Sequence, residues 1–315
     1  MKDTQTTAPV FVFGALRSGT TVFRLMLDAH PHLNNPGEVD YLFDTLHRDP
    51  GAPGGWRYDL DALRERRGFL SSGLHLPEGK DGLDLLADFL GQFRARKPGL
   101  LTLNIHRNLG RALAAVPGAR VIHMLRDPRD VARSCIGMGW AGTLYHGITP
   151  WIETETDWDR AAPAIPAPAR AELTYEALIR DTGAELHRIC DFLAVPFEPD
   201  MLRYHEDTTY AAPDLSLIEQ WRRKSTAKEI SQVEARVGGM MTARGYAMAG
   251  PAMPPGRWEL LRLSAVNRFR RWKMAVGRYG LGLFLKETLT RRLGLRSLHR
   301  RFAAQKRALD TEYLK

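Results

Sequence analysis

Four side-chain donors crowd into five residues near the start of the chain: Arg17, Ser18, Thr20 and Thr21, with Gly19 between them. Gly14 and Gly19 have the separation G-x-x-x-x-G, which lets successive backbone N–H groups close around an anion. A helix starting at Thr20 would aim its N-terminal dipole at the same point. The Lys that follows the second glycine of an ATP-hydrolysing loop is absent, and Thr20 stands there. The loop is therefore suited to a phosphate, with Arg17 as a delocalised charge of bidentate reach. A second anion site is expected where Arg126 ends an apolar run and Ser134 follows eight residues later. Taken alone, Arg126-Asp127-Pro128-Arg129-Asp130 also reads as an ordinary helix start with a terminal salt bridge. Two anion sites in one cleft point to a nucleotide carrying phosphates at two ends.

The elements that must position these residues are legible in the hydrophobic pattern. Val10–Phe13 reads as a buried strand, and the helix after Thr20 should stop near His30-Pro31. Further strands are expected at Leu100–Asn104, Arg120–Leu125 and, more weakly, Ala171–Thr174. Helices are expected over Gly82–Arg96, Arg111–Val116, Pro128 to about Met138, and Gly183–Leu193. Loops are expected at Asn34–Asp40, Asp49–Gly55 and Ala161–Pro168. Strands alternating with helices predict an α/β fold: a central parallel sheet flanked by helices in three layers. Ligands of such sheets bind at the carboxyl ends of the strands, where the glycine loop, Asn104–Arg107 and Arg126 all fall.

The 315 residues carry a net charge of +9, and that charge is concentrated. Between Arg257 and Arg307 fifteen Lys/Arg face two acids, Glu259 and Glu287, so the rest of the chain is slightly acidic. A Pro/Gly-rich boundary at Ala249–Gly256 divides a catalytic domain, 1–250, from a basic helical C-terminal extension, 251–315. Three readings of the extension stay open: helices packed on the body, a peripheral membrane contact, or a homo-oligomer surface. No nucleic-acid-binding motif accompanies its charge, so no nucleic-acid partner is expected. Cys135 and Cys190 lack the spacing of a disulfide framework or metal site and read as core residues. No apolar run is long enough to span a membrane, and Met1–Pro9 lacks an apolar leader core, so a cytoplasmic location is expected.

Together the two anion motifs resemble those of the sulfotransferases that use 3′-phosphoadenosine 5′-phosphosulfate (PAPS). Arg17–Thr21 matches the family's [KR]-S-G-T-[TS] after a strand, and Arg126–Ser134 matches R-[DN]-x-[RK]-D-x-x-x-S. The segment Leu16–Pro31 is especially similar to the branch that contains tyrosylprotein sulfotransferases and many bacterial enzymes. The resemblance covers roughly residues 9–248, including Tyr175-Glu176-Ala177-Leu178. It implies a P-loop-like fold, with Arg17, Ser18, Gly19, Thr20 and Thr21 on the 5′-phosphosulfate and Arg126 and Ser134 on the 3′-phosphate. The implied reaction moves a sulfuryl group to an acceptor hydroxyl, or an amine, on a small molecule, lipid, carbohydrate or peptide, with PAPS as co-substrate and no metal.

Two residues are candidates for the base that takes the acceptor's proton. His106 has a spacing that resembles the K-x-H of the cytosolic sulfotransferases, and an imidazole suits proton transfer near neutral pH. Glu38, in Pro36-Gly37-Glu38, resembles the acidic base of the tyrosylprotein branch. The chain departs from K-x-H at Asn104, which replaces the Lys and cannot supply its charge, leaving more of that load to Arg17. Trp221-Arg222-Arg223-Lys224 loosely resembles the family's late basic segment, and the aromatics of Gly137–Trp158 divide between core and acceptor pocket. Two other readings remain: an ATP- and magnesium-dependent phosphotransferase, and a non-enzymatic anion-binding membrane adaptor acting through its basic tail.

Overall fold

Every residue of the first strand, β1 (Val10–Gly14), is buried, and it takes the centre of a five-stranded sheet. The computed structural model describes residues 8–206 and 208–313. Most of the N-terminal stretch expected to lack a leader core (1–7) and the last residues of the basic extension (314–315) lie outside the described residues. The chain divides into two units, Met1–Asp127 with Pro150–Glu219, and Pro128–Thr149 with Gln220–Lys315.

The first unit holds β1, β2 (Leu33–Asn34), β3 (Leu46–Arg48), β4 (Trp56–Tyr58), β5 (Leu100–Ile105), β6 (Arg120–Leu125) and β7 (Arg170–Thr174). The main sheet runs β2-β5-β1-β6-β7 with every pair parallel, as expected where helices return the chain between strands. Alternate β1 residues feed opposite faces. Phe11 and Phe13 join a core with Leu85, Phe89 and Phe93 of the helix Gly82–Arg96. Val10 and Val12 join another with Phe23, Met26 and Leu27 of the helix Thr20–Ala29, and with Leu186 and Ile189 of the helix Thr182–Leu193. The central parallel sheet between helical layers is the expected α/β arrangement.

The differences from expectation are local. The Asn34–Asp40 stretch is not a plain loop: β2 ends in it, and a short helix, Asp40–Asp44, begins at its close. β3 and β4 form an antiparallel hairpin around the expected loop at Asp49–Gly55. In its two strands only Leu46, Trp56 and Tyr58 are buried, which is too few for a visible strand pattern. The helix expected at Arg111 starts at Leu109, after Asn108 turns the chain with a left-handed φ of 59°. Asp181 caps the helix Thr182–Leu193, and left-handed Ala194 ends it.

The second unit is helical. It contains Pro128–Gly137, Ala227–Ala243 with a capping box between Thr226 and Glu229, Arg257–Arg292 and Arg296–Tyr313. A buried ion pair, Arg129 to Glu234 at 2.7 Å, lies inside it, and the Arg129 guanidinium stacks 3.6 Å from the Trp221 ring centre. The basic extension is helical as expected, with a break at Gly280, where φ is 74° and ψ 151°. Among the described residues no helix is long and apolar enough to cross a membrane. Cys135 and Cys190 are buried and unbridged.

Candidate active site

Gly14 ends β1 so close to β6 that a Cβ on it would meet the Met124 carbonyl at 2.3 Å. The chain then turns through two left-handed residues, Arg17 at φ 75° and Gly19 at φ 89°. The Ser18 N–H donates to the Ala15 carbonyl at 3.0 Å and tightens the turn. Gly19 is the N-cap of the helix Thr20–Ala29 and gives it no side-chain cap, which leaves the first-turn N–H groups available to a ligand. Gly19 cannot carry a side chain, because its Cβ would sit 2.2 Å from the Tyr175 ring.

Ser18 is 1% exposed, and its Oγ has no hydrogen-bond partner among the described residues. A buried hydroxyl left in that state costs about 1–3 kcal/mol, which an acceptor oxygen from a ligand would remove. Thr20 is buried, and Arg17 and Thr21 are half-buried. Arg126, at the end of β6, is nearly buried and lies 4.1 Å over the Tyr175 ring. Its Nη1 donates to the Arg17 carbonyl at 3.0 Å and its Nη2 to the Leu217 carbonyl at 2.9 Å. Its Nε is buried with no partner among the described residues. Ser18 Oγ and Arg126 Nε together fit an anionic group, since both are donors held away from water.

The carboxyl end of β5 brings the two base candidates to this loop. His106 is 3% exposed, and its Nε2 lies 3.3 Å from Thr20 Oγ1. Its Nδ1 is 2.8 Å from Asp40 Oδ2, its backbone N–H donates to Asp40 Oδ1 at 2.8 Å, and its carbonyl accepts from Thr154 Oγ1 at 2.9 Å. Burial works against charge on the ring, but the Asp40 carboxylate, by charge and hydrogen bond, and Glu38, by charge, outweigh it and raise the His106 pKa. Asp40 is itself lowered: burial opposes its ionisation, and the contacts with His106 and the Arg107 charge overcome that. Glu38 is exposed and pairs in parallel fashion with Asn104, which Val39 N–H fixes by donating to the Asn104 carbonyl at 2.9 Å. The bend that presents Glu38 requires Gly37, at φ 99°.

Asn104 is fully buried and serves the scaffold. Its Nδ2 donates to the Thr20 carbonyl at 3.0 Å, and its Oδ1 accepts from Asn35 Nδ2 at 3.0 Å. It ties the helix start to the Glu38 segment. The residue that sequence reasoning missed is Asp40. The signal was available in principle, as an acid two residues from Glu38, but nothing in its spacing linked it to His106.

The first unit thus brings together Arg17–Thr21, Glu38, His106 and Arg126. Ser134 lies on the helix Pro128–Gly137 and belongs to the second unit, as does the Trp221–Lys224 segment, where the Arg129 and Arg222 guanidinium groups lie 3.6 and 4.3 Å from the ring centre of buried Trp221. Of the aromatics expected to divide between core and pocket, Trp151 and Trp158 are core. Trp151 Nε1 donates to the Arg126 carbonyl at 3.2 Å, and Trp158 stacks on buried His123 at 3.8 Å. Trp140 is 41% exposed.

Residues 9–199 match the model of a sulfotransferase family. A Caenorhabditis briggsae protein named "Putative protein-tyrosine sulfotransferase" is 28% identical over 209 residues, which cover 62% of this chain and 69% of that one. The fold is similar to a sulfotransferase domain from the curacin biosynthetic pathway, with a TM-score of 0.59 at 17% identity over 78% of this chain and all of the other. It is similar to the sulfotransferase domain of the Synechococcus PCC 7002 olefin synthase as well, at TM-score 0.59 and 20% identity over 78% and 98% of the two chains. The family match spans the glycine loop, both base candidates and Arg126, and the chain belongs to the sulfotransferase family.

Proposed function

We propose that the chain transfers a sulfuryl group from PAPS to an acceptor hydroxyl, or less favourably an amine. The observation that carries the reading is the buried Ser18 hydroxyl, without a partner among the described residues, inside a doubly left-handed loop at an uncapped helix start. When bound, the donor supplies the sulfuryl group and leaves as adenosine 3′,5′-bisphosphate. Ser18, Thr20, Thr21 and the loop N–H groups hold the 5′-phosphosulfate, with Arg17 as the charged member. Arg126 holds the 3′-phosphate.

Glu38 is the proton acceptor in this reading. It is an exposed carboxylate at the carboxyl end of β5, so it can meet an acceptor from solvent, whereas His106 is buried and engaged on both ring nitrogens. As the acceptor oxygen bonds to sulfur, its proton passes to Glu38. His106, drawn toward its charged form by Asp40, donates from Nε2 to Thr20 Oγ1 and sets positive charge behind the loop. That charge occupies the role left open by the missing lysines at Thr20 and Asn104. The name of the worm relative makes a peptide tyrosine the first acceptor to test.

Titration calorimetry with adenosine 3′,5′-bisphosphate tests the reading. Binding by the wild-type chain and weakened binding by Arg126→Ala are expected. No binding by a folded sample, or magnesium-dependent turnover of ATP instead, would overturn it.

A further inference from the structure

The helix Arg257–Arg292 presents two unlike faces before its break at Gly280. One face packs within its own unit. Asn267 Oδ1 accepts from the Gly142 N–H at 2.7 Å, and Arg270 and Arg278 donate to the carbonyls of Gly142 and Met138 at 3.0 and 3.2 Å. Leu263 is buried on that side. At about 100° per residue, Trp258, Leu261, Phe269 and Trp272 fall within an arc of about 80° on the opposite side. They are 85%, 62%, 59% and 43% exposed. Exposed Arg262, Arg268 and Lys273 flank this stripe. Beyond Gly280, Leu281, Leu285 and Leu289 continue the pattern at i, i+4 and i+8, each 44% exposed or more.

We propose that this outward face rests on an anionic lipid surface. Aromatic and aliphatic side chains on one stripe, bordered by Arg and Lys, suit the interface of a bilayer. There the rings and leucines enter the headgroup–acyl boundary and the guanidinium and ammonium groups reach back to phosphates. The fifteen Lys/Arg between Arg257 and Arg307, against two acids, are drawn to the same negative surface. Charge decides between lipid and the other occupants of such a face. A second copy of the chain would oppose the same positive excess with itself. A nucleic acid would neutralise the charge but leave the leucines of the stripe in water. The helix lies on the surface and does not cross it, in keeping with its interspersed charges.

The test is flotation of the full chain with two vesicle types, phosphatidylcholine alone and phosphatidylcholine mixed with phosphatidylglycerol. Binding to the anionic vesicles only is expected, weakened by added salt. The variant W258S/F269S/W272S and the variant R262Q/R268Q/K273Q should each lose roughly tenfold or more in vesicle affinity. Both should keep the wild-type circular dichroism and bisphosphate affinity, because the changed side chains are exposed. Equal binding to neutral vesicles, undiminished binding by either variant, or no vesicle binding by the wild type would overturn the proposal. A wild-type dimer lost in the aromatic variant, without vesicle binding, would assign the face to a second copy.

Discussion

Asp40 holds His106 at two points: Oδ1 accepts the backbone N–H and Oδ2 lies 2.8 Å from ring Nδ1. The first contact fixes the chain at the end of β5, and the second fixes the ring against Thr20. Both groups are buried, so their ionisation is tied to folding. His106 is raised in the folded chain, so its contribution to stability is complete below its ordinary value of 6.5 and is lost as pH rises through the raised value. Asp40 is lowered, so its contribution is present above 3.8 and is lost as pH falls through the lowered value. In Asp40→Asn the ring keeps its burial and the Arg107 charge, both opposed to protonation, and the Glu38 charge in its favour, so its loss of stability above 6.5 should shrink or reverse. Thermal melting from mildly acid to alkaline pH checks this. The fall that remains in the variant belongs to His123, which is raised through Glu155 and Glu172 despite its burial. Identical pH slopes in the two proteins would show that Asp40 does not hold the proton on His106.

Glu38→Gln separates proton transfer from binding. It should lower turnover about 100-fold or more and leave adenosine 3′,5′-bisphosphate affinity unchanged. His106→Gln should instead weaken bisphosphate binding, since it removes charge from behind Thr20. The opposite pattern, with affinity kept and turnover lost in His106→Gln, would exchange the two roles.

Gly19→Ala places a Cβ 2.2 Å from the Tyr175 ring on a backbone with φ 89°. A loss of about 1–3 kcal/mol is expected from the backbone alone. Calorimetry should show little or no bisphosphate binding even where the variant melts cooperatively. Trimming Tyr175 in the same chain relieves the collision but not the φ, so rescue should be partial. Full rescue would mean that the left-handed turn is not needed.

Arg126→Lys keeps the charge and loses the planar fork. A single ammonium cannot reach the Arg17 and Leu217 carbonyls together while stacking on Tyr175. Bisphosphate affinity should fall about tenfold or more, with the Arg17 carbonyl no longer fixed. Unchanged affinity would remove Arg126 from the nucleotide site.

What the sequence made legible followed from periodicity and punctuation. β1, β5 and β6 are short apolar-rich runs, the helix Gly82–Arg96 repeats its apolar side chains at helical spacing, and all four emerged within a residue or so of their expected bounds. The glycine loop was readable because Gly14, Gly19 and its donors are adjacent in the chain. β2 and the β3–β4 hairpin were not, since two- and three-residue strands carry too few side chains to set a period. The Asp40–His106 contact spans 66 positions and depends on Gly37 bending the chain beside β5, a long-range relationship with no local trace. Asn104 shows the same limit in reverse. Its type marked a missing charge, but only its bonds to Thr20 and Asn35 reveal a strut between two site segments.

Because successive β1 residues anchor in separate cores, the strand cannot slide by one position without exchanging phenylalanines for valines on both faces at once. The cradle that begins at Gly14 inherits that fixity. It need not be stable in itself, and Arg17 can persist in a conformation that a free peptide would abandon. Substitutions in either core, far from any phosphate, should therefore loosen the cradle before they unfold the protein. Temperature-sensitive alleles with early loss of donor affinity would then cluster at Phe11, Phe13, Phe23 and Phe89, away from the loop itself.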